Sequence, residues 1–361
     1  MIKLIKPYIS FDEVQEDFKD IFDRGWFSKG RFVEQFRRDI ASYTGANYAH
    51  LTTSATTALT MALKLFDIKC GDEVIVSDFS FPASSNVIED LGATPIFADV
   101  SLDTFNMLPS QLEQKITKRT KAVMFVDALG NPSGLHQIKE ICKAKNLPLI
   151  EDGACAIGSS ENGVRCGNIS DVTCFSFHPR KLLTTGEGGA ITFNSDAFRE
   201  FFDIKLNHGA KVENGKFEFV DYGYNFRLSE LQAAMGSKQM KKLDEIVHSR
   251  NEIKKSYEEA LAPLGFKAQK TTQNVVHNIQ SLTFLVPKNT KRDDLISYLK
   301  EQGIESTIGT YALSATNYNK RKYNQVQKNS FYLQENSITF PCYDGVDIDY
   351  ITKKVASYYD R

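Results

Sequence analysis

The sequence predicts an α/β protein in which a mainly parallel sheet is followed by a smaller α+β unit. Short runs rich in β-branched or aromatic residues alternate with helical patterns through the first part of the chain. One of these runs, 122–126, is apolar throughout, which is typical of a strand buried on both faces. With 361 residues, the chain is long enough for two domains, and we place residues 1–245 in a large domain and 246–361 in a small one.

The large domain is expected to begin with helices and to continue with the strands of the sheet. Helical patterns cover 11–45 with an interruption at 25–30, and a Ser/Thr cluster opens an Ala- and Leu-rich helix over 53–66. Another helical pattern covers 134–145, and right-handed crossovers are expected between parallel strands. The predicted strands are 73–77, 95–100, 122–128, 148–152, 172–177 and 190–193.

The small domain follows a polar segment and a long helix. We predict a loop over 211–220 and then one helix from the capping box at Ser229 and Gln232 to about residue 261. Pro263 and Gly265 end that helix. The elements expected beyond it are a strand near 279–286, a helix near 292–302, a strand near 304–309 and a last helix near 347–359.

Composition excludes several classes of function. The net charge of −1 gives no reason to expect nucleic acid or an anionic membrane as a partner, and there is no stretch of 18 apolar residues. The six cysteines show no Cys-x-x-Cys spacing, so we expect neither a metal site nor a disulfide framework. The first ten residues lack the apolar core of a secretory signal, and a cytoplasmic location is expected.

Polar residues that could carry chemistry follow the ends of the predicted strands. Ligands of open parallel sheets bind outside the carboxyl ends of the strands, where Asp152, Ser176 and Lys181 fall. A crowded lysine amine can lose its proton near neutral pH and attack an aldehyde. A carboxylate can hold a pyridine nitrogen in its protonated form, and a helix start offers N–H groups to a phosphate. These features together predict a site for pyridoxal phosphate.

Each residue has a plain alternative when it is taken alone. A lysine in a Gly-rich loop is most often a solvated surface charge, and an aspartate at a strand end is often a turn or cap residue. Ser54, Ala55 and Thr56 could simply open a helix, and Phe81 could be a core residue. The order of these residues along the chain favours the cofactor site over these alternatives.

Five segments of the chain resemble signatures of the DegT/DnrJ/EryC1/StrS family of aminotransferases. The segment around Lys181 is the most specific of them. They are 71–76, 92–100, 151–152, 176–189 and 223–227. The resemblance runs nearly end to end and implies the aspartate aminotransferase fold, known as fold type I, with its large cofactor-binding domain and small C-terminal domain.

The resemblance also implies roles for individual residues. Lys181 would form the covalent link with the cofactor aldehyde and then act as the base, and Asp152 would pair with the pyridine nitrogen. Phe81 sits where family members carry an aromatic residue near the ring. The residues implied to hold the phosphate are Ala55, Thr56, Ser176 and, from the other subunit, Asn225. The resemblance therefore implies a homodimer with a shared active site.

Two positions depart from the family pattern. Cys155 stands three residues after the aspartate, where the family usually has Gln or His on the cofactor ring, and its alternative role is that of a small buried hydrophobe. Ser314 and Thr316 stand where the family often has a His-x-Gln pair near the substrate. Tyr311 and Ser314 are our candidate substrate contacts, and the substrate contact is altered.

The resemblance implies an aminotransferase that moves an amino group from glutamate to a keto sugar in the biosynthesis of a surface polysaccharide or a modified sugar, and the expected keto sugar is linked to a nucleotide. Three alternatives stay open. The acceptor could be a small phosphorylated ketone such as dihydroxyacetone phosphate, the enzyme could be a pyridoxal phosphate-dependent sugar dehydratase, or the protein could be a non-catalytic regulator. Lys181 argues against the dehydratase, because such relatives replace the lysine with histidine.

Overall fold

The structure is a computed structural model that describes residues 1–213 and 215–360. Asn214, inside the predicted 211–220 loop, and Arg361, at the end of the predicted small domain, lie outside the described residues. The α-helices are α1 (Phe11–Arg24), α2 (Arg31–Thr44), α3 (Ala55–Leu65), α4 (Ala83–Asp90), α5 (Pro109–Lys115), α6 (Leu135–Ala144), α7 (Asp196–Lys205), α8 (Glu230–Met240), α9 (Leu243–Leu261), α10 (Arg292–Glu301), α11 (Asn317–Tyr323), α12 (Lys328–Asn336) and α13 (Ile348–Tyr359).

Three short 3₁₀ segments, at 128–130, 262–264 and 313–315, supplement these helices within the described ranges. The strands are β1 (Tyr48–Thr52), β2 (Glu73–Ser77), β3 (Phe79–Ser80), β4 (Thr94–Ala98), β5 (Thr120–Val126), β6 (Leu149–Asp152), β7 (Ser160–Glu161), β8 (Val164–Arg165), β9 (Val172–Ser176), β10 (Gly189–Phe193), β11 (Ala210–Glu213), β12 (Lys216–Phe219), β13 (Lys267–Ala268), β14 (Val275–Val276), β15 (Leu282–Leu285), β16 (Thr307–Ile308), β17 (Tyr311–Ala312) and β18 (Ser337–Phe340).

The central sheet of the described chain has seven strands in the order β1-β10-β9-β6-β5-β2-β4. Its pairs from β4 to β9 are parallel, whereas β10 runs antiparallel to β9 and β1 antiparallel to β10. All six predicted strands are present, and β1 is an edge strand that the sequence patterns did not indicate. The prediction of a mainly parallel sheet is confirmed.

Apolar side chains cover both faces of the sheet. On one face, α3 packs Ala58, Leu59 and Met61 into a cluster with the sheet residues Val76 and Met124. On the other face, the cluster that contains Val123 and Phe125 is completed by residues of α6. Burial of β5 from both sides explains why its run 122–126 is apolar throughout. The sheet is therefore held rigid between helices, with its strand ends free to carry polar groups.

The second unit is built on an antiparallel sheet with the order β13-β15-β18-β16. Its core includes Phe284, Phe340 and Tyr257, and Tyr257 comes from the second half of α9. Leu243 and Val247, in the first half of α9, belong instead to a cluster of the large unit. One helix therefore joins both cores, and the boundary that we placed near 245 falls inside it and stays a prediction.

Two predictions about the connection between the units are wrong. The expected loop at 211–220 contains the antiparallel pair β11 and β12, whose side chains are mostly exposed, so no buried pattern marked them as strands. The expected single helix from 229 to 261 is two helices, because the chain turns at Lys242, whose φ and ψ are −114° and 10°. Neither Gly nor Pro marks that turn in the sequence.

The two units are also joined next to the carboxyl end of β2. The short strand β3 pairs antiparallel with β17, so that Ser80 stands opposite Tyr311. Throughout the described ranges, no helix is both long enough and apolar enough to cross a bilayer. The fold thus places a small-domain segment against the edge of the sheet where the predicted site residues lie.

Candidate active site

Lys181 and Asp152 follow neighbouring parallel strands, at the edge of the sheet where their carboxyl ends meet. Asp152 is the last residue of β6, and Lys181 lies in the turn beyond β9, where its N–H donates to the carbonyl of His178 at 2.8 Å. The Lys181 ammonium is close enough to lower the pKa of the Asp152 carboxyl. The structure therefore brings the two predicted catalytic residues into one site.

Cys155 lies directly beside the lysine amine. The distance from Lys181 Nζ to Cys155 Sγ is 3.0 Å, and both side chains are partly buried. The thiol accepts a hydrogen bond from the amine in this arrangement, so Cys155 is more than a small core residue. This contact supports the prediction that Cys155 is part of the cofactor site, although it does not test the contact with the ring.

Asp152 is held by two hydrogen bonds in a buried position. Its side chain accepts from the Ser84 hydroxyl at 2.6 Å through Oδ2 and from the Ala154 N–H at 3.2 Å through Oδ1. Burial raises the pKa of Asp152, and the two hydrogen bonds and the Lys181 charge oppose that rise without cancelling it. A protonated pyridine nitrogen beside this carboxyl would favour its ionised form, so the site fits the group that the sequence predicts.

The start of α3 provides a place for a phosphate. Ser54 caps the helix by accepting the Thr57 N–H at 3.2 Å, and the first-turn N–H groups that begin at Ala55 have no partners inside the helix. Gly189 of β10 lies so close that an added Cβ would come within 2.8 Å of the Ala55 nitrogen. Thr56 is exposed on the same turn. A glycine that must lack a side chain against a helix start is a feature expected of a phosphate cradle.

Ser176 and Phe81 stand at the ends of two strands, β9 and β3. Ser176 ends β9, is mostly buried and accepts the His178 N–H at 3.4 Å. Phe81 follows β3, is 65% exposed and makes an edge-to-face contact with Tyr311 at 6.3 Å between ring centroids. Tyr311 is 42% exposed. The two exposed rings therefore form an aromatic edge. Phe81 lies three residues before Ser84 in the chain, and Ser84 contacts Asp152.

Ser314 has surroundings that favour a structural role over the predicted substrate contact. It is 1% exposed, and its N–H and hydroxyl both donate to the Asp78 carboxyl at 2.7 Å. Ser330 donates to the same carboxyl, whose pKa is raised to about 7 because burial outweighs these hydrogen bonds. Ser314 therefore fastens the small unit to the end of β2. Its substrate role stays a prediction without support from the contacts of the described residues.

Asn225 lies apart from the other predicted site residues. It is exposed on the segment between β12 and α8, and no contact among the described residues joins it to Lys181 or Asp152. Arg227, two residues later, has its Nη1 atom buried without a hydrogen-bond partner in the part of the chain that is described. Lys29 lies near it, and its pKa is lowered by burial and by the Arg227 charge. One of these two cations, Arg227, thus lies two residues from Asn225 in the chain, and the other, Lys29, donates a hydrogen bond to Asn207.

The sequence did not indicate the buried acidic pair of Asp127 and Glu151, which lies next to Asp152. Asp127 and Glu151 are fully buried, and both pKa values are raised, first by burial and, for Asp127, also by the Glu151 charge. Ligand atoms of this pair and of Cys166 lie within 4.8 Å of one another, a spacing that could hold a metal ion. A shared proton explains the pair equally without a metal, because it provides the hydrogen bond that two ionised carboxylates cannot make.

Comparisons with known proteins agree with this geometry. The sequence profile of the DegT/DnrJ/EryC1/StrS aminotransferase family matches residues 9–357. A GDP-perosamine synthase of Escherichia coli O157:H7 is 31% identical over 361 residues, which cover 99% of this chain and 98% of that protein. A dTDP-3-amino-3,6-dideoxy-alpha-D-galactopyranose transaminase of Aneurinibacillus thermoaerophilus is 35% identical over 324 residues, which cover 90% and 87%.

Solved structures show the same fold. The aminotransferase TlmJ of Streptoalloteichus hindustanus superposes with a TM-score of 0.92 at 26% identity and covers 100% of this chain and 99% of its own. A sugar aminotransferase of Streptococcus pneumoniae, Spr1654, described as putative and solved in a PLP-form, superposes with a TM-score of 0.89 at 28% identity, with 99% of each chain covered. The predicted fold type I architecture is confirmed.

Proposed function

The chain belongs to the DegT/DnrJ/EryC1/StrS aminotransferase family, and we propose that it moves the amino group of glutamate to a nucleotide-linked keto sugar. The observation that carries this proposal is the meeting of Lys181, Cys155 and Asp152 at the strand ends, with a Gly-lined helix start beside them. The product would serve the biosynthesis of a surface polysaccharide or a modified sugar. The contacts of Lys181 and Asp152 support the aminotransferase reaction, and the similarity to enzymes of nucleotide sugars supports the acceptor.

Pyridoxal phosphate fits the residues at this site. Members of the family use it, and Spr1654 is recorded in both a PLP-form and a PMP-form. In the proposed arrangement, Lys181 holds the aldehyde, Asp152 faces the ring nitrogen, and Ser176 and the first turn of α3 hold the phosphate. When bound, the cofactor supplies an electron-accepting ring that stabilises negative charge at the substrate carbon.

Lys181 has two tasks in this proposal. It first holds the cofactor, and its amine, once released, moves a proton at the substrate carbon as a general base and acid. The Asp152 carboxylate would keep the ring nitrogen positive, while the Ser84 hydroxyl orients that carboxylate and favours its ionised form. The sulfur of Cys155 lies 3.0 Å from Lys181 Nζ and fills the space beside the amine.

A keto sugar on a nucleotide is the acceptor that the comparisons favour. The two relatives described above are named for GDP- and dTDP-linked amino sugars. The cationic pair Lys29 and Arg227 offers a site for an anionic part of a substrate, because Arg227 Nη1 is buried and unpaired among the described residues. The exposed rings of Phe81 and Tyr311 offer an apolar edge that a sugar ring can contact.

A homodimer would complete the site. No contact among the described residues joins Asn225, Arg227 or Lys29 to Lys181 of the same chain, and a second subunit would present them to the site in this proposal. Exposed apolar side chains cluster on the neighbouring β11–β12 hairpin and the segment after it, which favours burial against a partner. They are Val212, Phe217, Phe219, Val220 and Tyr222. The proposed place of the reaction is the cytoplasm, since all six cysteines, which the structure describes, are free thiols.

A two-stage spectroscopic experiment tests the proposal. The purified protein loaded with pyridoxal phosphate should show a visible absorbance band that glutamate removes, and a keto sugar nucleotide should restore it. A panel of GDP-linked and dTDP-linked keto sugars and dihydroxyacetone phosphate identifies the acceptor. A protein that binds the sugar but never responds to glutamate would instead be a regulator, and release of a dehydrated sugar without an amino donor would identify a dehydratase.

A further inference from the structure

The buried side chain of Gln280 forms hydrogen bonds with the backbone on both sides of Lys181. Gln280 accepts the Leu182 N–H at 2.7 Å through Oε1 and donates to the Arg180 carbonyl at 2.8 Å through Nε2. It is 6% exposed and comes from a part of the chain about one hundred residues away in sequence. These two hydrogen bonds hold the peptide groups that flank Lys181.

Gln280 is itself held firmly. Arg250 donates to the carbonyl of Gln280 at 3.1 Å and to that of Ile279 at 2.8 Å, and the Gln280 N–H donates to Asn278 at 2.8 Å. Ile279 has φ +51°, a value that a β-branched residue adopts only when its surroundings impose it. The segment 278–280 is therefore a rigid support.

The same segment also fixes the backbone that carries Cys155. Asn278 Nδ2 donates to the carbonyls of Cys155 and Ile157, each at 2.7 Å. Lys181 and Cys155, whose side chains meet at 3.0 Å, are thus aligned by one support. A second buried glutamine, Gln239, accepts the Thr184 N–H at 3.1 Å and donates to the Thr184 carbonyl at 2.7 Å, which secures the far side of the turn.

We propose that Gln280 is a positioning residue for the reaction: it sets where the Lys181 amine stands, while Asn278 aligns Cys155 with it. The segment 278–280 leads directly into β15 of the second unit. The small domain therefore contributes to the position of Lys181. This inference rests on the proposed function. Neither residue touches the reacting atoms, and both act through the backbone of the residues that do.

A positioning role differs from a purely structural role in what it controls. Loss of a structural hydrogen bond lowers stability, but it does not change the protonation of Lys181 or the chemical step. Loss of a positioning contact moves the amine, and a displacement of about 1 Å can cost on the order of a hundredfold in rate. The pH dependence of the lysine-bound cofactor and the division between kcat and KM therefore separate the two roles.

The test compares Gln280→Met with Gln269→Met. Gln269 is an equally buried glutamine that donates to two backbone carbonyls, of Thr104 and Ala128, and does not contact the Lys181 turn. Methionine has nearly the same length but cannot make either hydrogen bond. Gln280→Leu, with Gln269→Leu as its control, is the second variant, because leucine removes both hydrogen bonds without adding a charge.

We expect three results for Gln280→Met that Gln269→Met does not share. In the cofactor-free protein, hydrogen exchange at the Leu182 amide becomes faster. In the loaded protein, the pH midpoint of the visible absorbance change moves by about 0.5 unit or more. The kcat falls about tenfold or more with KM little changed, and Gln280→Leu gives the same pattern relative to Gln269→Leu.

The inference is overturned if both Gln280 variants match their Gln269 controls in the pH midpoint and in kcat, whatever their thermal stability. If Gln280→Met does not fold, Gln280→Leu against Gln269→Leu decides by the same readouts. Failure of the wild-type protein to hold pyridoxal phosphate on Lys181 would refute the proposed function instead. The two failures are distinguishable. The first is seen only with an active wild-type enzyme, whereas the second is an inactive wild-type protein.

Discussion

At the scale of single residues, the environment of Asp152 decides how well the site can hold a positive ring nitrogen. Burial pushes this carboxyl toward its protonated form, and the Ser84 hydroxyl, which donates to it at 2.6 Å, opposes that shift. A hydroxyl that donates to a carboxylate stabilises the charged form by about 1.5–3 kcal/mol. Ser84 is therefore expected to set the pH range in which the cofactor binds.

Replacement of Ser84 by alanine should raise the pKa of Asp152 further. A protonated Asp152 cannot stabilise a positive ring nitrogen, so affinity for pyridoxal phosphate is lost as pH falls through that pKa, and in Ser84→Ala it is lost at a higher pH than in the wild type. Ser84→Thr keeps the hydroxyl and should behave like the wild type. Titration of the dissociation constant against pH checks this, and identical profiles for all three proteins would refute it.

The buried pair Asp127 and Glu151 makes a prediction about stability. Because burial raises both pKa values, the folded state keeps a proton that the unfolded state releases as pH rises above the ordinary carboxyl range. The free energy of unfolding should then fall with increasing pH, by about 1.4 kcal/mol for each unit over which the folded state alone holds the proton.

Asp127→Asn should weaken this pH dependence, because an amide donates to Glu151 without needing that proton. Urea unfolding at pH 5 and pH 8 measures the effect, with the wild type losing more stability than the variant between the two values. Equal losses in both proteins would show that the pair does not share a proton.

Individual site residues were predictable from sequence only where a motif marked them. Lys181 and Asp152 fall at strand ends in a recognisable order, and the structure brings them together. Ser84 and Gln280 could not be found, since their partners lie 68 and about one hundred residues away along the chain. Ser314 was chosen by its position in a motif, and the motif carried no information about its burial against Asp78.

At the scale of elements, the junction between β10 and α3 determines whether the helix start can receive a phosphate. A side chain at Gly189 would meet the backbone of Ser54 at 2.5 Å and the Ala55 nitrogen at 2.8 Å. Gly189→Ala should therefore push the first turn of α3 outward and misalign its N–H groups.

We expect Gly189→Ala to weaken the binding of pyridoxal phosphate by about tenfold or more, since each hydrogen bond to a charged group contributes about 1.5–3 kcal/mol. Fluorescence titration of the cofactor-free variant measures the dissociation constant, and its thermal unfolding serves as the control for folding. An unchanged dissociation constant in a folded variant would show that α3 does not hold the phosphate.

Elements were predictable where burial imposed a pattern. The six predicted strands of the central sheet are largely buried and rich in β-branched and aromatic residues, so their sequences show the burial directly. The hairpin of β11 and β12 is mostly exposed and mixes charged with aromatic residues, so its sequence resembles a loop. The break between α8 and α9 at Lys242 has no helix-breaking residue, and tertiary contacts with both cores must impose it.

At the scale of the whole molecule, the proposed dimer makes each active site a joint product of two chains. Lys181 would come from one subunit and Asn225 from the other. Lys181→Ala removes the amine, and Asn225→Asp places a negative charge where the partner's phosphate is proposed to bind. Each variant should be inactive alone.

Mixed and re-equilibrated, the two variants should recover about a quarter of the wild-type rate, because half of the random dimers carry one intact site. Size-exclusion chromatography confirms that hybrids form, and the glutamate half-reaction gives the rate. Hybrids that form without any recovery would show that Lys181 and Asn225 act within one chain.

The covalent bond proposed for Lys181 can be tested directly. The protein is incubated with pyridoxal phosphate, reduced with borohydride, digested and analysed by peptide mass spectrometry, with Lys181→Ala as the control. Our account predicts a pyridoxyl group on Lys181 in the wild type and none in the control. A label on another lysine, or no label on a protein that binds the cofactor, would contradict it.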